Sequence, residues 1–192
     1  MKIRESGMPE DVAYWESLFA PVQFLRTMGF DVGLESVADL GCGYGTFTLP
    51  LARCAHGHVY AIDLEPGMIE IVQKRAAQQR ITNIITLQRD LLLDGCGLAD
   101  ESVDGVLLAH LLHSEPRDNI RLLQEAQRIL RVGGRVAVIH WRRDVPTPRG
   151  PTLGFRPTPE QCSDWCIQAG FSKDSQEQYA LGSYHWGIVM RK

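Results

Sequence analysis

The stretch Val37-Ala-Asp-Leu-Gly-Cys-Gly-Tyr-Gly-Thr-Phe-Thr48 decides how the rest of the chain is read. Val37, Ala38 and Leu40 predict a buried strand, Gly41, Gly43 and Gly45 a tight turn, and the residues after them the start of a helix. Glycine reaches positive φ cheaply and lets a ligand approach where a Cβ would stand. A helix start just beyond offers unsatisfied N–H groups. Asp39 falls near the C-terminal end of the strand, the edge at which open α/β sheets bind ligands. A dinucleotide turn of the G-x-G-x-x-G type would need a third glycine where Thr46 stands. The pattern is instead D-x-G-x-G-x-G.

Working outwards, the chain alternates strands and helices. Phe47–Ala55 predicts a short helix and His58–Asp63 a second strand ending in an acid. Asp63 lies roughly 20 residues past the glycines, where an acid in nucleotide-binding α/β folds accepts from ribose hydroxyls. Pro66–Gln79 predicts an amphipathic helix with Met68, Ile69 and Val72 inward and Lys74, Arg75 and Gln78 outward. Ile84–Leu87 is the third strand, with Asp90 just past its end, and Ser102–Ala109 the fourth, apolar enough to be covered on both faces. Arg117–Arg131 predicts a helix closed by Gly133 and Gly134, and Arg135–Trp141 the fifth strand. Thr158-Pro-Glu-Gln161 opens another helix with a capping box, and Asp174–Leu181 with His185–Met190 reads as a hairpin.

These signals resemble class I S-adenosylmethionine-dependent methyltransferases. The resemblance is carried by the glycine turn, by Asp63 and Asp90 at their strand ends, and by Gln124–Ile139, which is similar to the family's E-x-x-R-V-L-K-P-G-G stretch, with Val132 where proline is usual. It covers roughly Val37 to Ile139 and is closest to the small-molecule branch that includes ubiquinone- and menaquinone-biosynthesis enzymes. It implies an α/β, Rossmann-like, doubly wound sheet of seven strands in the order 3-2-1-4-5-7-6, strand 7 antiparallel. It implies S-adenosyl-L-methionine as cofactor, with Asp39, Gly41, Gly43 and Gly45 on the methionine part and Asp63 on the ribose. Leu64 and Met68 would flank the adenine, Asp90 accept from its amine with Leu91 beside it, and the Ala109 carbonyl meet the cofactor's ammonium.

The reaction expected is methyl transfer to a small molecule. Two alternatives stand beside it, a non-catalytic relative that binds cofactor or a partner, and an NAD(P)-dependent oxidoreductase. A methyltransferase needs a base only if its acceptor must lose a proton. His110, His140 and His185 are the candidates, since all fall near strand ends on the ligand face. AHLLHSEP after the fourth strand lacks the [DNS]-P-P-[YFW] motif of amine-methylating enzymes of the DNA type. The acceptor pocket is expected between the ends of the fourth and fifth strands, under a lid formed by the proline-rich loop Arg142–Pro157, with His110, His140, Tyr184 and His185 on its wall.

The 192 residues suit one domain, 1–192. Within it, residues 1–33 predict an N-terminal helical lid split at Pro21, with Tyr14 and Trp15 positioned to close the pocket. A net charge of −3 gives no electrostatic footprint for nucleic acid. No apolar run reaches the roughly 20 residues of a membrane span. Five scattered cysteines suggest free thiols in a cytoplasmic protein. Cys162 and Cys166, one helical turn apart, are too few ligands for zinc, and no metal is expected. The oligomeric state is left open.

Overall fold

A computed structural model describes residues 10–113 and 116–192, with 174–177 described as backbone only; the first nine residues of the expected lid lie outside it. Seven strands form one sheet: β1 (Val37–Leu40), β2 (Val59–Asp63), β3 (Ile84–Gln88), β4 (Val103–Ala109), β5 (Leu130–Trp141), β6 (Ser172–Leu181) and β7 (His185–Arg191). Their order is 3-2-1-4-5-7-6, as the sequence implied. The first five strands run parallel to one another, and β7 is antiparallel to both its neighbours, β5 and β6. The helices are α1 (Val12–Glu16), α2 (Pro21–Thr27), α3 (Thr48–Cys54), α4 (Pro66–Gln78), α5 (Pro116–Ile129) and α6 (Pro159–Gln168).

Each face of the sheet has its own apolar layer. Leu123, Ala126 and Ile129 of α5 and Cys162 and Cys166 of α6 pack on one face with Val106, Leu108 and Val138. Phe24 and Leu25 of α2 and Leu51 of α3 pack on the other with Leu107 and Ile139. The alternation along β4 follows from the strand's period of two: odd and even side chains serve opposite layers. Burial on both faces is why β4 reads as a continuous apolar run.

Two helix ends follow local chemistry. Pro21 starts α2 at a position where a missing N–H costs least, so the proline divides α1 from α2. Thr158 caps α6, with the Thr158 hydroxyl and the Gln161 side chain each accepting from the other residue's backbone N–H. One expectation differs. Gly133 and Gly134 do not close α5; they lie in a bulge at the start of β5, where the register with β4 slips between Val103 and Gly105. Gly133 has φ +80°, and a Cβ on Gly134 would stand 2.9 Å from the Arg131 carbonyl oxygen. The glycine pair lets the extra residues of β5 fold out and strand pairing resume at Arg135.

The parallel register aligns the ends of β1, β2, β4 and β5 on one edge. Leu40 pairs with Ile62 and Leu108, and Ala109 with Ile139. Because β7 runs the other way, its first residue, His185, pairs with Trp141 at that same edge. Every candidate site residue is therefore delivered to the C-terminal edge of the sheet or to the loops above it.

Candidate active site

A cleft of about 600 Å³ opens over β1 and β4. Its wall includes Asp39, the turn residues Gly41 and Gly43, Asp63, Met68, Ala109 and His110, with Trp15, Tyr44, Thr46, Phe47 and Leu111, and the acids Glu10 and Glu65 at its acidic end. A second cavity of about 320 Å³ adjoins it and shares Gly41, Asp63 and Leu111. Its other walls include Leu64, Asp90, Leu91, Leu92 and His113. Leu64 and Met68, expected on one ring, thus face different compartments. Leu111 stands between the two: a Cβ on Gly41, whose φ is +74°, would lie 2.9 Å from the Leu111 side chain. The positive φ at 41 favours glycine, and a Cβ there would also push the Leu111 side chain aside.

The acidic end is built from β1 and β2. Asp39 is 1% exposed, and one carboxylate oxygen accepts from the Thr48 hydroxyl at 2.6 Å. Its other oxygen is buried with no partner among the described residues. Burial pushes Asp39 up to about 7, opposed by the Thr48 hydrogen bond and helped by the charge of Asp63. Asp63 accepts from the Gly43 N–H at 2.9 Å and from the Glu65 N–H at 3.0 Å, tying the glycine turn to the loop before α4. Burial raises its carboxyl too, although those backbone bonds lower it.

The turn offers shape more than donors. The N–H groups of Gly41 and Cys42 donate to the Ile62 carbonyl, that of Gly43 to Asp63, and that of Gly45 to the Cys42 carbonyl. Asp90 accepts from the N–H groups of Leu92 and Leu93 with one oxygen and so shapes the leucine turn of the second cavity.

The opposite end is aromatic and basic. His110 lines the cleft, while His140 and His185 lie behind it, 0% and 1% exposed. The His110 ring centroid is 5.6 Å from that of His140 and 5.3 Å from that of His185. Burial holds all three imidazoles well below their ordinary range, His140 and His185 down to about 3. Trp15 of α1 and Phe19 after it cover this end, their centroids 6.0 and 5.4 Å from His110. Tyr184 packs against the same aromatic group as Trp15, Tyr44 and Trp141.

The loop 142–157 closes on itself. Arg156 donates to the carbonyls of Pro151, Arg142 and Arg149. A Cβ on Gly150 would meet the Trp141 ring at 3.0 Å, and the Arg149 guanidinium sits 5.6 Å over the Tyr14 ring.

Sequence reading missed Thr48, Leu111 and Arg75. A threonine in the first turn of α3 was the available signal for the first; nothing in the spacing marks the second. Arg75, read as solvent-facing, donates to the Tyr44 carbonyl and pairs with Glu16 of α1, both at 2.5 Å. Charge alone suggested an outward residue, but a long guanidinium reaches partners across the cleft rim. Among the described residues no group of His, Cys, Asp or Glu could hold a metal ion, and no helix is long and apolar enough to cross a membrane.

Residues 37–134 match the family of the methyltransferase domain, and the chain belongs to that family. It is 33% identical over 125 residues to aklanonic acid methyltransferase DauC of Streptomyces sp. (strain C5), an alignment covering 64% of this chain and 53% of the relative. It is 32% identical over 117 residues to a demethylmenaquinone methyltransferase of Lactococcus lactis subsp. lactis (strain IL1403), covering 60% and 45%. The chain spans about half the length of these curated relatives. The fold is similar to the crystal structure of a SAM-dependent methyltransferase from Aquifex aeolicus, with TM-score 0.77 and 24% identity over 94% of this chain and 93% of that one.

Proposed function

We propose that the chain transfers a methyl group from S-adenosyl-L-methionine to a small-molecule acceptor. The observation that carries this is the partnerless carboxylate oxygen of Asp39, buried beside the glycine turn. A buried carboxylate short of a partner is costly and is relieved by a cation, here the cofactor's ammonium, with the Ala109 carbonyl on the same wall. Gly41 and Gly43 lie on that wall, whereas Gly45 faces Val72 and Leu49 and lines neither cavity, and Asp63 serves the ribose from a carboxylate already fixed by two backbone N–H groups. Leu64, Leu91 and Asp90 give the second cavity apolar walls and one acceptor, a setting for the adenine ring, with Met68 on the side of the larger cleft.

When bound, the cofactor supplies an already activated methyl group. The chain's own work is then to bind, align the acceptor and exclude water. Residues 1–33 serve as a lid, supported by Trp15 on the cleft wall and by the Glu16–Arg75 pair that holds α1 down. Five unpaired thiols suit a cytoplasmic setting.

Calorimetry with S-adenosylhomocysteine, alongside turnover of the methyl donor with a panel of small acceptors, tests the reading. Micromolar binding and a methylated product are expected. Tighter binding of NADH than of S-adenosylhomocysteine overturns it.

A further inference from the structure

The buried stripe of α5 runs through Asn119, Leu122, Leu123, Ala126 and Ile129. Four of these are apolar, as a helix laid on a sheet requires. The fifth, Asn119, is not. Asparagine is a poor helix former, and a buried carboxamide is costly unless it is hydrogen-bonded. Asn119 is 2% exposed, and its bonds leave the helix. Its oxygen accepts from the His113 N–H at 3.0 Å, and its nitrogen donates to the His113 carbonyl. One side chain thus holds the backbone of one residue on both sides, which needs a donor and an acceptor together.

His113 ends the stretch that follows β4, Ala109 to His113. The near end of that stretch is tied to β5, where the His110 N–H donates to the Ile139 carbonyl at 2.8 Å. His110 has φ +59°, a conformation that a non-glycine residue keeps only where its surroundings impose it. The far end is tied by Asn119. Between the ties stands Leu111, which walls both cavities and lies so close to the glycine turn that a Cβ on Gly41 would meet it at 2.9 Å. A cofactor that reaches Asp39 in one cavity and Asp90 in the other passes Leu111 on the way.

We infer that Asn119 is a positioning residue for the cofactor: it sets the connection after β4 and so places Leu111 where the two cavities meet. The inference rests on the methyltransferase reading of the same cleft and deepens it.

Two observations separate this role from that of a helix cap. A capping asparagine accepts from the first N–H groups of its own helix, whereas the Asn119 carboxamide is engaged with His113. The connection it holds is also wall rather than filler. Ala109, His110 and Leu111 face the cleft, and Leu111 and His113 face the second cavity; Leu112, the remaining residue, is fully buried in the core. Asn119 borders the second cavity itself, but with its oxygen and nitrogen committed to His113 it acts on a ligand through the connection. No proton or methyl group passes through it, so its effect falls on binding.

The test uses the whole chain and S-adenosylhomocysteine, measured by calorimetry in a double-mutant cycle of Asn119→Ala and Leu111→Ala. Asn119→Ala should weaken binding by about tenfold in the wild-type background. In the Leu111→Ala background it should weaken binding by less than about threefold, because the group it positions is gone. The Leu111 methyl resonances of the ligand-free chain should shift in Asn119→Ala, while those of Leu51, on the other face of the sheet, stay in place. If Asn119→Ala does not fold, Asn119→Asp replaces it: it keeps an acceptor for the His113 N–H but sets an oxygen against the His113 carbonyl. If Leu111→Ala abolishes binding, the Leu111 resonances decide. Equal losses in the two backgrounds, unchanged affinity, or unmoved Leu111 resonances overturn the proposal and leave the methyltransferase reading standing. If S-adenosylhomocysteine fails to bind the wild type, that reading falls and takes this inference with it.

Discussion

The two ends of the cleft bury ionisable groups of opposite kind and leave both short of partners. At one end Asp39 is pushed up to about 7, and at the other His140 and His185 are pushed down to about 3. The cause is the same in all three: burial penalises the charged form. The difference lies in what restores the balance. A carboxylate with an open oxygen needs a cation, which a sulfonium amino acid carries. Neutral imidazoles with open nitrogens need a hydrogen-bonding partner. The two ends thus differ in what each lacks, a positive charge beside Asp39 and a hydrogen-bonding partner beside the histidines.

The comparison has a consequence for stability that reads out without any ligand. His140 and His185 titrate near 6.5 when unfolded and near 3 in the fold. Below about pH 6.5 the unfolded chain binds protons that the folded chain refuses, so stability falls as pH drops towards about 3. At pH 5 the loss is roughly 2 kcal/mol for each, about 4 kcal/mol for the pair. Asp39 acts in the other direction. Its folded value near 7 exceeds its unfolded value of 3.8, so its contribution worsens as pH rises through that window and improves as pH falls. Between pH 6.5 and 5 it offsets about 2 kcal/mol. Urea unfolding should therefore show Asp39→Asn losing about 2 kcal/mol more than the wild type over that interval. Equal losses in the two proteins would break the comparison at its root.

A smaller effect sharpens the acidic end. Asp63→Ala strands the N–H groups of Gly43 and Glu65 and removes the proposed ribose acceptor. S-adenosylhomocysteine affinity should fall by about 1–3 kcal/mol, measured by calorimetry. Unchanged affinity would show that Asp63 only staples two loops.

How far the sequence could lead differs between the same two ends. The alternation of strands and helices, and Asp39 and Asp63 at their strand ends, were legible from local patterns, and the strand order followed from the family resemblance those patterns carry. What local pattern could not show is tertiary use. Free N–H groups were expected of the helix start beyond the turn; how the turn's own are used was not legible, and those of Gly41, Cys42, Gly43 and Gly45 all donate within the protein. The histidines were expected together on a pocket wall, but not as a buried cluster with His140 and His185 behind the cleft. Their meeting depends on β7 running antiparallel, which brings His185 opposite Trp141, and on the left-handed turn at His110. Arg75 sits on a surface-like helix position, and only the placement of α1 gives it Glu16.

Cofactor affinity should follow the charge of Asp39. Below about pH 7 the buried carboxyl holds a proton in the free protein, and a ligand ammonium must displace it. S-adenosylhomocysteine binding should then weaken as pH falls below 7, by up to about tenfold per unit, or 1.4 kcal/mol. Above about pH 8 it should level off. Asp39→Asn should bind weakly at every pH with no slope. A slope that survives the substitution would assign the proton to another group.

The smallest expected effect concerns the link between the ends. Arg75 holds the Tyr44 carbonyl of the glycine turn with one nitrogen and Glu16 of α1 with the other. The ion pair is partly exposed, with side chains 19% and 34% accessible, so solvent screens it and it contributes about 1 kcal/mol or less. That is little against the stability of the sheet, but much for α1. A helix of five residues is too short to be stable by itself and depends on Trp15 and this pair for its place. Glu16→Gln should therefore leave global unfolding within about 0.5 kcal/mol while raising amide exchange in α1 several-fold. Arg75→Met should do the same and also loosen the turn at Tyr44, which Glu16→Gln leaves tied. If α1 exchange rises equally in both variants and S-adenosylhomocysteine affinity drops only in Arg75→Met, Arg75 serves the two ends through separate nitrogens. If affinity drops equally in both, the cover itself holds the cofactor, and the two ends of the cleft are coupled through α1.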